Sequence, residues 1–158
     1  MQVPEPIQSS HDTSLFDCGN PLLNDWLKCR ALANHSGGAT RCYVVTQANA
    51  VVAYYAMSAG AVTASQATGK VKRNMPDPIP VLVLARLAID QNFQNQGLGK
   101  ALLKDAAQRA MRVARDVGVR ALLVHAIDAS AEAFYLKHGF GASPTAPLKL
   151  MLRLPVAQ

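Results

Sequence analysis

Two glycines set between an apolar run and a helix-forming run can hold an anion, and this chain has them at Gly97 and Gly99. The run before them, Val81-Leu82-Val83-Leu84-Ala85-Arg86-Leu87-Ala88-Ile89-Asp90, reads as a buried strand. The run after them, Lys100-Ala101-Leu102-Leu103-Lys104-Asp105-Ala106-Ala107, reads as an amphipathic helix. The first N–H groups of a helix have no partner within it, and the helix dipole favours negative charge there. Glycine carries no Cβ, so a phosphate can come close to the backbone. The turn is neither of the common phosphate motifs. No Ser or Thr follows Lys100, as G-x-x-x-x-G-K-[ST] requires, and the dinucleotide fingerprint needs a third glycine. On the glycines alone, an ordinary strand-to-helix turn, with the glycines there for tight packing, is the better explanation.

A second segment carries a longer pattern. Ala121-Leu122-Leu123-Val124-His125-Ala126 is a short apolar strand, and Asp128-Ala129-Ser130-Ala131-Glu132-Ala133-Phe134-Tyr135-Leu136-Lys137-His138-Gly139-Phe140 follows it. Together the two segments resemble the GCN5-related N-acetyltransferase (GNAT) family. Gln94 to Gly99 matches its pyrophosphate loop, [QR]-x-x-G-x-[GA]. Asp128 to Phe140 matches N-x-x-A-x-x-[FL]-Y-x-x-x-G-F at every position but the first, where Asp replaces Asn. That Asp cannot offer an amide donor, but it can cap a helix. The resemblance runs from Arg41 to the C-terminus. The whole chain is similar to one branch, the acetyltransferase toxins of bacterial toxin–antitoxin pairs. The similarity lies in Phe16-Asp17-Cys18-Gly19-Asn20, Leu23-Asn24-Asp25-Trp26-Leu27, Arg41-Cys42-Tyr43-Val44-Val45, Val83 to Asp90, and Leu148 to Leu154.

The resemblance implies an α/β GNAT fold: a mixed central sheet, splayed at the cofactor site and flanked by helices. It implies acetyl-CoA as cofactor, its pyrophosphate held by the backbone of Gln94, Asn95, Gln96, Gly97, Leu98, Gly99 and Lys100. Backbone N–H groups of Leu87, Ala88 and Ile89 would meet the thioester oxygen as it gains charge. Asp128 and Ala131 are further cofactor positions. By residue type Tyr135 reads as an aromatic packed on the sheet. By family position it is the general acid beside the cofactor sulfur, with Phe134 taking the packing role. A phenol is protonated at neutral pH and can donate to a departing thiolate. The branch acetylates the α-amine of aminoacyl-tRNA and so blocks translation. That amine needs no strong base, because the neighbouring ester lowers its pKa. The branch also implies a ribbon-helix-helix (DUF1778-type) antitoxin and a homodimer. An acetyltransferase for a small-molecule or protein amine, or a non-catalytic acyl-CoA-binding module, are the alternatives.

No general base stands out. Asp90 and Glu132 can serve, but each suits a solvated site equally. His125, inside an apolar strand, reads as a hydrogen-bonded core residue, and His138 as the cap of a helix end. Arg86 is a cation among Leu84, Leu87 and Ile89, so it needs a partner or a wet cleft. It fits the acceptor end of the site, or a side chain that snorkels to solvent or pairs with a carboxylate. Lys70, Lys72 and Arg73 can contact phosphates or sit solvated on a loop.

Composition bounds the rest. The 158 residues suit one domain, 1–158, and half of them are hydrophobic. Sixteen Lys and Arg against ten Asp and Glu give +6, which suits an anionic partner such as coenzyme A, RNA or an acidic antitoxin. No apolar run approaches the ~20 residues that span a bilayer. The first residues show no leader pattern, so a cytoplasmic protein is expected. Cys18, Cys29 and Cys42 have no metal-ligand spacing and read as small buried hydrophobes, with no metal.

The elements that must position these residues are legible in outline. Ile7–Ser9 reads as an edge strand. Asn20 caps a helix with Pro21 at its first position, and Leu22, Leu23, Trp26, Leu27 and Leu32 give it an apolar face. Cys42–Thr46 and Val51–Met57 form a hairpin. Residues 61–74 read as a mobile loop. A helix runs over Leu98–Val117, its inner face Leu98, Leu102, Ala106, Ala110, Val113 and Val117. Another starts after Asp128 and stops at Gly139, and a closing strand completes a mixed sheet.

Overall fold

The computed structural model describes residues 3–155. Met1 and Gln2, part of the leader reading, lie outside them. The chain divides into two compact units: residues up to Ser58 with Ala85–Ala106, and Ala59–Leu84 with the residues from Ala107 on.

The first unit opens with β1 (Glu5–Pro6), which pairs antiparallel with β2 (Arg41–Gln47). The edge strand thus lies two residues earlier than expected. Ile7 is nevertheless anchored, buried and donating its N–H to Cys42 O at 3.0 Å. Helix α1 (Pro21–Cys29) starts as its sequence dictates: Asn20 Oδ1 accepts from Leu22 N and Leu23 N, with Pro21 in the first turn. Trp26 and Leu27 are its buried residues, whereas Leu22 is 79% exposed, so the apolar face is narrower than expected. Helix α2 (Ala31–Gly37) follows and ends at Gly38. Strand β2 then pairs with β3 (Ala50–Val62). Ala48 (φ 50°) and Asn49 (φ 69°) both lie in the left-handed region, as the tight hairpin turns that match strand twist require. Tyr54 centres the core. Its ring stacks on Trp26 at 5.8 Å and meets Phe16 edge-on at 5.5 Å, and its hydroxyl donates to Leu23 O.

The second unit contains α3 (Gly69–Lys72) and the first half of β4 (Ile79–Ile89). There β4 runs parallel to β5 (Ala121–His125) over Val81–Leu84 and Ala121–Val124. The chain between these strands passes through α4 (Leu98–Asp116), the long crossover a parallel pair needs. Strand β7 (Lys149–Arg153) lies antiparallel to β5, and β6 (Gly141–Ala142) antiparallel to β7. Helix α5 (Ala129–Lys137) joins β5 to β6. The strand order is β1-β2-β3-β4-β5-β7-β6, a mixed α/β sheet.

Residues 61–74 are not the loop their small side chains suggest. Strand β3 runs to Val62, and α3 follows with Ala67 and Val71 buried beside Val62, Ile79, Val81 and Met151. Val113 and Val117 of the long-helix segment are exposed rather than internal. Cys29 is exposed too, unlike buried Cys42. Among the described residues no helix is long and apolar enough to cross a membrane.

Candidate active site

The first unit carries the turn. Strand β4 delivers Arg86, Leu87, Ala88 and Ile89 and ends just before Asp90. Asp90 is buried rather than solvated. One carboxylate oxygen accepts from Asn92 N at 2.9 Å and caps the short 3-10 turn Gln91–Phe93. The other accepts from Asp17 N at 3.0 Å. Both oxygens are thus committed to backbone N–H groups, and Asp90 is a clasp rather than a base. Its own N–H donates to Val52 O. Alternation along the strand therefore points the Ile89 peptide groups to the opposite edge, where Ile89 O accepts from Gln94 Nε2 at 2.9 Å. Gln94 Nε2 also lies 3.3 Å from Cys18 O, so its side chain fastens the turn.

The turn proper is open. Gln94, Asn95, Gln96, Gly97 and Lys100 are exposed, while Leu98 is buried and anchors the helix start. Asn95 (φ 63°) and Gly97 (φ 80°) both adopt the left-handed conformation, which Asn tolerates and Gly takes freely. A Cβ placed on Gly97 would meet nothing within 4 Å, so space for a ligand remains above the peptide. The first turn of α4 has no acidic side chain, and Lys100 stands in it, where the helix dipole disfavours a cation. Free N–H groups, an adjacent ammonium and open space form a donor set that fits a diphosphate. Gly99→Asp puts a carboxylate into that set while suiting the helix start. It is expected to weaken acetyl-CoA binding ~10- to 100-fold, from like-charge repulsion and bulk. Calorimetry on the folded variant checks it, and unchanged affinity excludes the turn as the phosphate site.

Arg86 takes neither of the expected bland roles alone. Its guanidinium lies 4.4 Å over the Trp26 ring, a cation–π contact, and among the described residues it has no carboxylate partner. Sequence reasoning missed a further support of α4: Tyr55 OH donates to Asp105 Oδ2. Asp105 sits seven residues after Leu98, on the helix's inner face, and that spacing was the available signal.

The second unit carries α5. Asp128 Oδ1 accepts from Ala131 N at 2.8 Å and caps the helix, so both the Asp128 oxygen and the Ala131 N–H are already engaged. Tyr135 is 7% exposed and more buried than Phe134, so its ring packs as well. Its ring meets Phe134 and Phe140 edge-on, each at 5.3 Å. Among the described residues its hydroxyl has no hydrogen-bond partner, yet it is not sealed from solvent. Burial pushes its pKa up to about 12. This is a protonated, unengaged O–H on a rigid ring, suited to donating a proton.

His138 ends α5, its Nδ1 donating to Phe134 O at 2.8 Å. His125 is exposed at the end of β5, not a core residue. Glu132 lies in the first turn of α5, where the dipole favours it. Lys70, Lys72 and Arg73 are exposed on and just after α3, and among the described residues none is in an ion pair.

The acetyltransferase (GNAT) domain family matches residues 38–141, and the chain belongs to that family: it is an N-acetyltransferase. It is 46% identical to the tRNA-acetylating toxin of Mycobacterium tuberculosis, over 99% of this chain and 94% of that protein. Among solved structures, a KacT mutant superposes with a TM-score of 0.88 at 29% identity, covering 96% of this chain and 94% of that one. AtaT complexed with acetyl-methionyl-tRNAfMet gives 0.87 at 26%, with the same coverages. An AtaT mutant bound to the C-terminus of the antitoxin AtaR and acetyl-CoA gives 0.82 at 25%, covering 96% and 92%.

Proposed function

We propose that this protein transfers the acetyl group of acetyl-CoA to the α-amine of the amino acid on charged tRNA, and that it is the toxin of a toxin–antitoxin pair. The observation that carries the acceptor is the end-to-end similarity to the tRNA-acetylating toxin. The net charge of +6 supports an RNA partner.

Acetyl-CoA supplies an acyl group activated as a thioester. Its diphosphate is held by the backbone from Gln94 to Lys100 together with the Lys100 ammonium. Of the backbone N–H groups of Leu87, Ala88 and Ile89, those of Leu87 and Ile89 share the edge turned away from β3 and donate to the acyl oxygen as the amine attacks, while Ala88 lies between them. A new C–N bond forms, the C–S bond breaks, and the Tyr135 hydroxyl gives its proton to the leaving sulfur. The nitrogen sheds a proton to water, which the low pKa of an aminoacyl ester amine permits without a strong base. Asp128 and Ala131 serve this site by fixing the start of α5. Arg86, held on Trp26, faces the aminoacyl end, and Lys70, Lys72 and Arg73 meet RNA phosphates. The partners are aminoacyl-tRNA, a ribbon-helix-helix antitoxin of the DUF1778 type and a second copy of the chain. A single catalytic domain working in the cytoplasm completes the reading.

The test is thiol release from acetyl-CoA with each acceptor in turn. Stimulation by a pool of aminoacylated tRNA, and not by a polyamine or a peptide N-terminus, is expected. The reverse preference assigns the enzyme to small-molecule or protein amines.

A further inference from the structure

Arg120 has no place in the chemistry above, yet both its backbone and its guanidinium are tied down. Its N–H donates to Pro80 O at 2.8 Å, and its carbonyl accepts from Leu154 N at 3.0 Å. Its guanidinium then reaches back across about fifty residues of sequence. Nε donates to Val71 O at 3.1 Å, and one terminal nitrogen donates to Lys70 O at 3.1 Å and Arg73 O at 3.2 Å. These carbonyl groups end α3. A helix of four residues is far too short to hold itself, and its last carbonyl groups need partners from elsewhere. Buried Val71 pins one side, and the planar fork of Arg120 satisfies the other.

The result is a concentration of like charge. Lys70, Lys72 and Arg73 stand exposed on a clamp that is itself cationic. Arg153 is exposed on β7 opposite Ala121, and burial first, with the Arg153 charge second, holds the Arg120 pKa below its ordinary value. Among the described residues none of these five groups forms an ion pair. Uncompensated repulsion of this kind works against folding, and an anion relieves it.

We infer that Arg120 is a positioning residue for nucleic-acid binding: locked onto the end of α3, it sets Lys70, Lys72 and Arg73 as one phosphate-binding edge, which Arg153 extends. This rests on the tRNA reading above.

The experiment uses the full chain with a mixed pool of aminoacylated tRNA. It measures KM for tRNA, KM for acetyl-CoA, kcat and the dependence of tRNA affinity on salt. Wild type is compared with Arg120→Gln and Arg120→Lys, each also made in a Lys70→Gln, Lys72→Gln, Arg73→Gln background. Arg120→Gln is expected to raise KM for tRNA about tenfold and to flatten the log–log salt slope by about two, more than one lost charge can explain. Its kcat and KM for acetyl-CoA stay within about twofold of wild type. Arg120→Lys keeps the charge but cannot serve three carbonyl groups, so it is expected to show the same loss. In the neutralised background neither substitution should add anything. Full rescue by Arg120→Lys, a slope change of about one or less, or an undiminished effect in the neutralised background overturns the positioning role. Circular dichroism confirms the fold, and if Arg120→Gln fails to fold, the Arg120→Lys salt slope carries the test. A wild-type protein whose affinity for the tRNA pool is absent or independent of salt overturns the acceptor reading itself, before any variant is made.

Discussion

Tyr135→Phe is expected to lower turnover ~10²- to 10⁴-fold while leaving acetyl-CoA affinity unchanged, the range typical of a positioned proton donor. The substitution removes one hydroxyl. The ring contacts with Phe134 and Phe140 remain, and the hydroxyl has no partner among the described residues to leave stranded. Stability should therefore change little, and the loss should fall on kcat. The pH dependence separates this role from packing. Burial raises the Tyr135 pKa from an ordinary value near 10 to about 12, so the donor stays protonated through neutral and mildly alkaline pH. Loss of rate from its ionisation should begin only as pH approaches 12, and any earlier alkaline limb belongs to another group. The same shift adds stability below pH ~10 that is lost between about 10 and 12, because the protonated form is the one the fold accommodates. Wild-type turnover in a folded Tyr135→Phe protein leaves Tyr135 with packing alone.

Local chemistry was the legible part of this chain. The Asn20-Pro21 helix start and the cap by Asp128 follow from interactions within four residues, and both stand as expected. What escaped depends on distant partners. Asp90 looked solvated because the residue it clasps, Asp17, lies 73 positions away. Residues 61–74 looked like a loop because Ala, Gly and Thr carry weak propensity. They are ordered by Val71 and Ala67 packing near Met151, and by Arg120 binding the carbonyl groups of α3.

His125 shows a different failure. Apolar neighbours suggest burial, but successive residues of a strand face opposite sides. Here both faces are covered from Ala121 to Val124, including Leu123 on the same face as His125, and His125 is exposed because it is the last residue of the strand, where that cover stops. Phe134 and Tyr135 are adjacent aromatics on a nine-residue helix, and only tertiary packing decides which turns inward. Arg86 was recognisable as anomalous, but its Trp26 contact was not, since nothing along the chain ties β4 to α1.

The second large effect concerns the acceptor, and it is close to all-or-none. If the nucleophile is the α-amine of an aminoacyl ester, deacylated tRNA offers no such amine and cannot be labelled, although it presents the same phosphates to Lys70, Lys72 and Arg73. Binding and turnover should therefore separate. Uncharged tRNA should compete for the enzyme, more weakly as salt rises, because neutralised phosphates release counterions. Only charged tRNA should accept acetyl. The measurement that tests the central claim most directly is incubation with radiolabelled acetyl-CoA and one tRNA pool, split into aminoacylated and deacylated halves, followed by recovery of the RNA. The account predicts label on the charged half alone, released by mild base as N-acetyl amino acid. Equal label on both halves, or none on either while a polyamine or peptide amine is efficiently acetylated, contradicts it.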